Sequence, residues 1–310
     1  MTQRDYGYNL IFAFTVPFVA LFRTINAKSE RYKQRLLTIL IGLYGSTITV
    51  GKNADGYRHL KAVTDVYGSM SFEQFLYEIY QILTFQLTNS GAADLYKHFL
   101  SYIYGAVLEM PFLFFPTVAL VYGYFFSGSL LHVFRYFNNT SKNFLFMALA
   151  AIFILYKNVE GINTVRTWTG LWILVYACLK YYDTRQSKYI FLMFIPPLVH
   201  FSYFLMAIPA YLVLVLGNWK KAYFTIFFLS FFFSFLTPDP GAITENLSQT
   251  ELGEGRTNAY AVEEKSDFDD QLAKSQRSGS NWYKAYAQAD IDRYSNFLII
   301  ALIFFTGTYT

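Results

Sequence analysis

The sequence predicts an all-α polytopic membrane protein with about eight to ten transmembrane or half-spanning helices, external amphipathic helices and one long polar loop. Three observations lead there. Hydrophobic residues make up 54% of the chain and charged residues only 15%, with 33 Phe and 27 Tyr. Soluble domains carry roughly one quarter charged residues. The apolar residues fall in blocks close to the ~20 that a spanning helix needs. The charge is also divided, since 11 of the 21 acidic residues but only 6 of the 25 basic ones lie in 237–293. A net charge of +4 thus combines a basic body with one acidic loop. Cys178 is the single cysteine, which excludes an intrachain disulfide and a Cys-cluster metal site.

Taken in order, the apolar run Leu10–Phe22 reads as an uncleaved first span, with its proline in mid-run and few positive charges before it. The basic RTINAKSERYKQR that follows belongs in the cytoplasm, because cytoplasmic loops accumulate Lys and Arg. The N-terminus is then outside, and a span near 36–50 leads out to an external amphipathic segment, 51–98. In its second half Phe72, Phe75, Leu76, Ile79, Ile82 and Leu83 form a helical apolar stripe, suited to a helix lying on the outer surface. Asp94 is the expected N-cap of the next helix. After Pro111 a span near 112–134 returns to Arg135 and Lys142, 143–156 leads out, and 167–179 leads back to Lys180, Arg185 and Lys188.

The run 189–217 has Pro196, Pro197 and His200 near its centre. Read as a hairpin of two short helices with His200 at the outer apex, it leaves both basic ends in the cytoplasm. Each half is then about 21 Å long, so the apex lies in a protein-lined cavity below the outer surface. A span at 222–236 leads to the long external acidic loop 237–293, and a last apolar run covers 297–306. The chain 1–310 reads as a single integral membrane domain, expected to be C-terminally truncated because no charge cluster flanks Thr310.

This topology gathers polar residues on the outer side: Asp55, Arg58 and His59; Asp94 and Lys97; Glu160, Asn163 and Arg166; His200 and Ser202. Arg166 has two readings. One is a boundary arginine whose stem snorkels; the other is anion recognition through the planar guanidinium fork. The second is favoured by its outer position, where topology asks for no positive charge, and by Trp168 and Gly170 beside it, which admit a large ligand. His200 is either a satisfied core histidine or, at a proline-broken apex, a phosphate donor or proton shuttle. Asp55 and Arg58 are either an external ion pair or a carboxylate base with a nearby cation. No metal-ligand spacing, Walker loop, dinucleotide fingerprint or G-x-S-x-G elbow occurs, so the chain calls for no cofactor and no nucleic acid.

The stretches ADGYRH, DLYKHFLSYIYGAVLEMPFLFFPTVALVYGYFFSGSLL, INTVRTWTGLWILVY and KYIFLMFIPPLVHFSYFL together resemble the EpsG family of membrane proteins. That family is grouped with Wzy-type polysaccharide polymerases and GT-C-like membrane glycosyltransferases. The resemblance implies a GT-C-like fold in the bacterial inner membrane with its site on the external side. It implies that undecaprenyl-pyrophosphate-linked oligosaccharide units are joined there during exopolysaccharide, capsule or O-antigen synthesis. Arg166 and Arg58 would contact pyrophosphate, with Asn163, Trp168 and Asp94 around the substrate. Asp55 and His200 would be the catalytic pair, and a flippase and chain-length regulator of the same pathway the partners. A lipid-linked glycan flippase and a membrane acyltransferase remain as rival readings.

Overall fold

A computed structural model of the chain describes residues 3–139 apart from 26, 28, 49–54, 85 and 87, then 162, 165–217, 219, 221, 222, 225 and 229. The chain divides into two compact units, Met1–Lys142 with Phe153–Phe224 and Asn143–Ile152 with Thr225–Thr310. The described helices between Gln3 and Leu216 all belong to the first unit. Among the described residues the structure is helical throughout, with no strand, so the all-α class holds. One helical stretch among them, Pro111–Arg135, is long and apolar enough to cross a membrane. The expected passes at 143–156, 222–236 and 297–306 and the loop 237–293 lie outside the described residues.

The first apolar run corrects an expectation. Helices α1 (Gln3–Thr15) and α2 (Pro17–Ile25) do not form one span. Arg23 Nε donates to Asn9 Oδ1 and its guanidinium lies 5.5 Å from the Phe12 ring centre, contacts that a straight helix would hold far apart. The chain therefore folds back at Val16–Pro17, where the proline lacks the N–H needed to continue α1. Leu10–Phe22 is a helical hairpin with both ends together, packed on α3 (Glu30–Ser46) through Ala13, Ala20 and Leu36.

Helix α3 opens on Ser29, whose side chain caps the Tyr32 N–H, and it carries the basic residues of the preceding loop into its first turns. It runs antiparallel to α7 (Phe114–Asn139), pairing Gly45 with Ala119 and Phe115, Gly42 with Leu120, and Gly123 with Ile41. A Cβ on Gly45 would sit 2.4 Å from Ala119 Cβ, so the missing side chain is what lets the two backbones approach. Helix α8 (Thr167–Thr184) runs parallel to α7, as Trp172 Nε1 donates to Tyr122 OH at 2.9 Å and Arg135 meets Asp183 further on.

Between α3 and α7 lie α4 (Asp55–Asp65), α5 (Phe72–Leu83), α6 (Leu95–Tyr102) and a π-helical turn, Ile103–Val107. Helix α5 has the expected amphipathic form. Phe75, Glu78 and Ile82 are buried, while Phe72, Leu76 and Leu83 are exposed. After α8 come α9 (Ser187–Met193) and α10 (Pro196–Val199), then α11 (Tyr203–Met206) and α12 (Ile208–Leu216). The prolines sit in the first turn of α10, where their missing N–H groups leave no intrahelical bond unmade. The chain reverses through a turn at His200–Ser202, and Tyr211 on the returning limb donates to the Met193 carbonyl at 3.0 Å.

Candidate functional site

Three segments far apart in sequence converge on one carboxylate. Asp94 Oδ2 accepts from Arg166 Nη1 at 2.6 Å and lies 3.4 Å from His200 Nδ1, while Oδ1 accepts from the Phe201 backbone N–H at 2.7 Å. The Asp94 side chain is fully buried, whereas 17% of the Arg166 side chain and 12% of His200's remain accessible. The carboxylate is thus the inner anchor, and the guanidinium and imidazole are the groups that something outside could meet.

Each partner is delivered by its own local structure. Asp94 occupies the N-cap position of α6 with extended backbone, yet its side chain makes no capping bond. The expected capping role is corrected: the carboxylate turns away from α6 to Arg166 and the His200 turn. Arg166 precedes α8, directly after Val165, whose φ of +56° puts a β-branched residue in the left-handed region. Such a backbone costs about 1–3 kcal/mol and persists only where the surroundings enforce it; the Val165 side chain is fully buried. His200 ends α10 in extended conformation, with its N–H bonded to the Pro196 carbonyl at 2.9 Å. That stop turns the next N–H, from Phe201, onto Asp94.

The turn is held from below. A Cβ on Gly170 would lie 2.5 Å from the Tyr203 ring, and Tyr203 OH donates to the Thr167 carbonyl at 2.5 Å. The small residue expected to admit a ligand instead admits Tyr203, which fastens the apex to the first turn of α8.

Burial alone would push the Asp94 carboxyl up. The His200 hydrogen bond, the Arg166 and His200 charges and the Phe201 N–H outweigh it and hold Asp94 below the ordinary carboxylate range. The ionised Asp94 carboxylate pairs with the Nδ1 side of the His200 ring, which leaves Nε2 as the ring nitrogen not engaged by Asp94. A guanidinium beside an oriented imidazole can hold an anion and move a proton at adjacent positions.

The other expected site residues are distributed differently. Asp55 opens α4, and its side chain, like Asn163 and Glu160, lies outside the described residues. Helix α4 buries His59 and Val63, one turn apart, which leaves Arg58 on its exposed side. Trp168 is partly buried and packs on the core cluster containing Val63, Phe114 and Trp172, so it supports the start of α8. Lys97 and Ser202 are half-buried.

A second buried polar group escaped the sequence reading. His98, one turn after Asp94 on α6, lies with Nδ1 2.9 Å from Tyr67 OH and Nε2 3.2 Å from the Phe75 carbonyl oxygen. Glu78 Oε2 stands 3.6 Å from the same Nδ1, and Glu78 Oε1 accepts the Ser90 N–H at 3.0 Å. Burial is the first cause that holds His98 below the ordinary histidine range, opposed by the Phe75 carbonyl and the Glu78 charge. Burial likewise pushes the Tyr67 phenol up. The available signal was Glu78 itself, an acid placed between Phe75 and Ile82 on one helix face. This network ties α5 to α6 and so fixes the base from which Asp94 projects.

Comparison of the chain with models of known families, with curated proteins and with solved structures gives no match.

Proposed function

We propose that the chain is a polytopic inner-membrane glycosyltransferase that joins undecaprenyl-pyrophosphate-linked oligosaccharide units on the external side of the bilayer. The observation that carries the reading is the meeting of Arg166 and His200 on the buried Asp94 carboxylate. The three residues lie in INTVRTWTG, IPPLVHFS and DLYKH, all within the stretches that resemble EpsG proteins. Membrane embedding is supported by large apolar side chains that stay outside the core. Phe18, Phe22, Phe112 and Phe191 are 67–75% exposed, and Phe72, Leu76, Tyr77, Tyr80 and Leu83 on α5 are 48–61% exposed, a surface that water would penalise.

In the proposed reaction an acceptor sugar hydroxyl attacks the anomeric carbon of a donor held on undecaprenyl pyrophosphate. The new glycosidic C–O bond forms as the anomeric C–O bond to phosphate breaks, and the pyrophosphate leaves on its lipid. His200 Nε2 takes the hydroxyl proton, with Asp94 orienting the ring through Nδ1 and stabilising the imidazolium. Arg166 stabilises the charge that grows on the departing pyrophosphate. Asp94 is a positioning residue, and in this assignment His200 rather than Asp55 is the base. The charge of Arg166 is tolerable at a membrane boundary because it faces Asp94 and an anionic head group instead of acyl chains.

The test is in vitro. Purified chain in liposomes is given a defined undecaprenyl-pyrophosphate oligosaccharide. Longer glycans together with released undecaprenyl pyrophosphate support the reading; relocation of intact substrate means a flippase, and ester-bearing units mean an acyltransferase.

A further inference from the structure

The opposite end of α8 holds a separate cavity of about 590 Å³, formed where the starts of α3 and α9 meet α7 and the end of α8. Arg166 and Asp183 stand at the two ends of α8, about 25 Å apart at 1.5 Å per residue. This cavity is therefore distinct from the Asp94 cluster.

Arg31, Arg35, Arg135, Lys180 and Lys188 line it, against two carboxylates, Glu30 and Asp183. Both carboxylates are already engaged, Glu30 by Lys33 at 3.3 Å and Asp183 by Arg135. Among the described residues no ion pair engages Arg31, Arg35, Lys180 or Lys188. A concave wall with an excess of one sign concentrates potential in a way that the same charges on a flat surface do not. The topology rule explains why basic residues collect at this end of the helices. It does not explain why they share one hollow, with the neighbouring acids already neutralised. Three tyrosines, Tyr124, Tyr176 and Tyr189, complete the wall. Lys180 lies 5.6 Å from the Tyr176 ring centre and Lys188 5.1 Å from that of Tyr189, contacts that hold the ammonium groups at the rim.

We propose that this cavity binds a phosphorylated anion. Arginines can take phosphate oxygens in pairs, and the lysines act as point charges. The same chemistry serves the phosphate of an anionic lipid head group and a soluble diphosphate, and the site does not depend on the reaction assigned to the Asp94 end.

Inorganic pyrophosphate titrated calorimetrically into the full chain in neutral detergent is expected to bind saturably in this cavity, and that binding should persist when Arg166→Lys removes the fork at the other end of α8. Arg35→Gln with Lys188→Gln, both exposed positions, should weaken it at least about tenfold, as the loss of two charge-assisted contacts implies. Arg31→Gln alone should weaken it less, and Lys61→Gln on α4 should leave it unchanged. Repeating the titration with phosphatidylglycerol nanodiscs separates the sources. Loss of pyrophosphate binding there, but not in phosphatidylcholine nanodiscs, identifies a lipid head group; unchanged binding identifies a soluble ligand. No saturable binding in detergent, or equal weakening by Lys61→Gln, would overturn the proposal.

Discussion

At the scale of single residues, Arg166 and Asp94 depend on each other in unequal ways. Asp94 is wholly enclosed, so removing its charge strands a guanidinium whose partner was built for it; losing one member of such a buried pair costs about 3–5 kcal/mol. Asp94→Asn should lower the thermal midpoint measurably and abolish function. Arg166→Lys keeps the charge but not the planar fork, so polymerisation should fall at least about tenfold while the chain still inserts. Polymer length on gels checks this, and near-normal length would rule out a pyrophosphate contact by Arg166. The pH dependence has a defined sign. Because His98 binds its proton less readily in the folded chain, its stabilising contribution is complete above 6.5 and is lost as pH falls below that value. Asp94 adds a second loss below 3.8. Thermal melts should accordingly drop between pH 7 and 5, and His98→Gln should flatten that slope from a lower starting stability.

At the scale of elements, the helices were legible where periodicity or a breaker had one physical meaning. The amphipathic stretch at 72–83 and the reversal at His200 follow from spacing and from two adjacent prolines. Pro17 carried the same kind of information, but a proline inside an apolar run fits a kink as well as a turn. Only the Arg23–Asn9 contact decides for the hairpin. Asp94 was legible as a cap by position, yet nothing local says that Arg166, 72 residues on, takes the carboxylate. The burial of Glu78 on α5 was not legible, because its partners Ser90 and His98 lie on other segments. Two glycines test the packing. Gly45→Leu should separate α3 from α7 and lower stability, since even the Cβ meets Ala119 and the Phe115 carbonyl oxygen within 3 Å. Gly170→Val should push Tyr203 off α8 and shift the His200 turn, reducing activity at least about tenfold with all three charged groups intact. Comparable activity in that variant would mean that the apex position is unimportant.

For the molecule as a whole, the two ends of α8 carry different chemistry: a neutralised carboxylate cluster at one and excess positive charge at the other. If α8 crosses a bilayer, Ser202→Cys and Lys188→Cys, introduced singly with Cys178→Ser, should react with an impermeant maleimide from opposite sides of oriented vesicles. Labelling of both from one side would refute the crossing. Whether the Arg166–Asp94–His200 cluster transfers sugars is decided by chain extension of undecaprenyl-pyrophosphate oligosaccharide in liposomes, using the parent, Arg166→Lys and His200→Gln chains. The parent should extend the glycan and release undecaprenyl pyrophosphate, and both variants should lose that activity at unchanged insertion. Extension by the variants at the parent's rate, or an unaltered substrate with the parent, would contradict it.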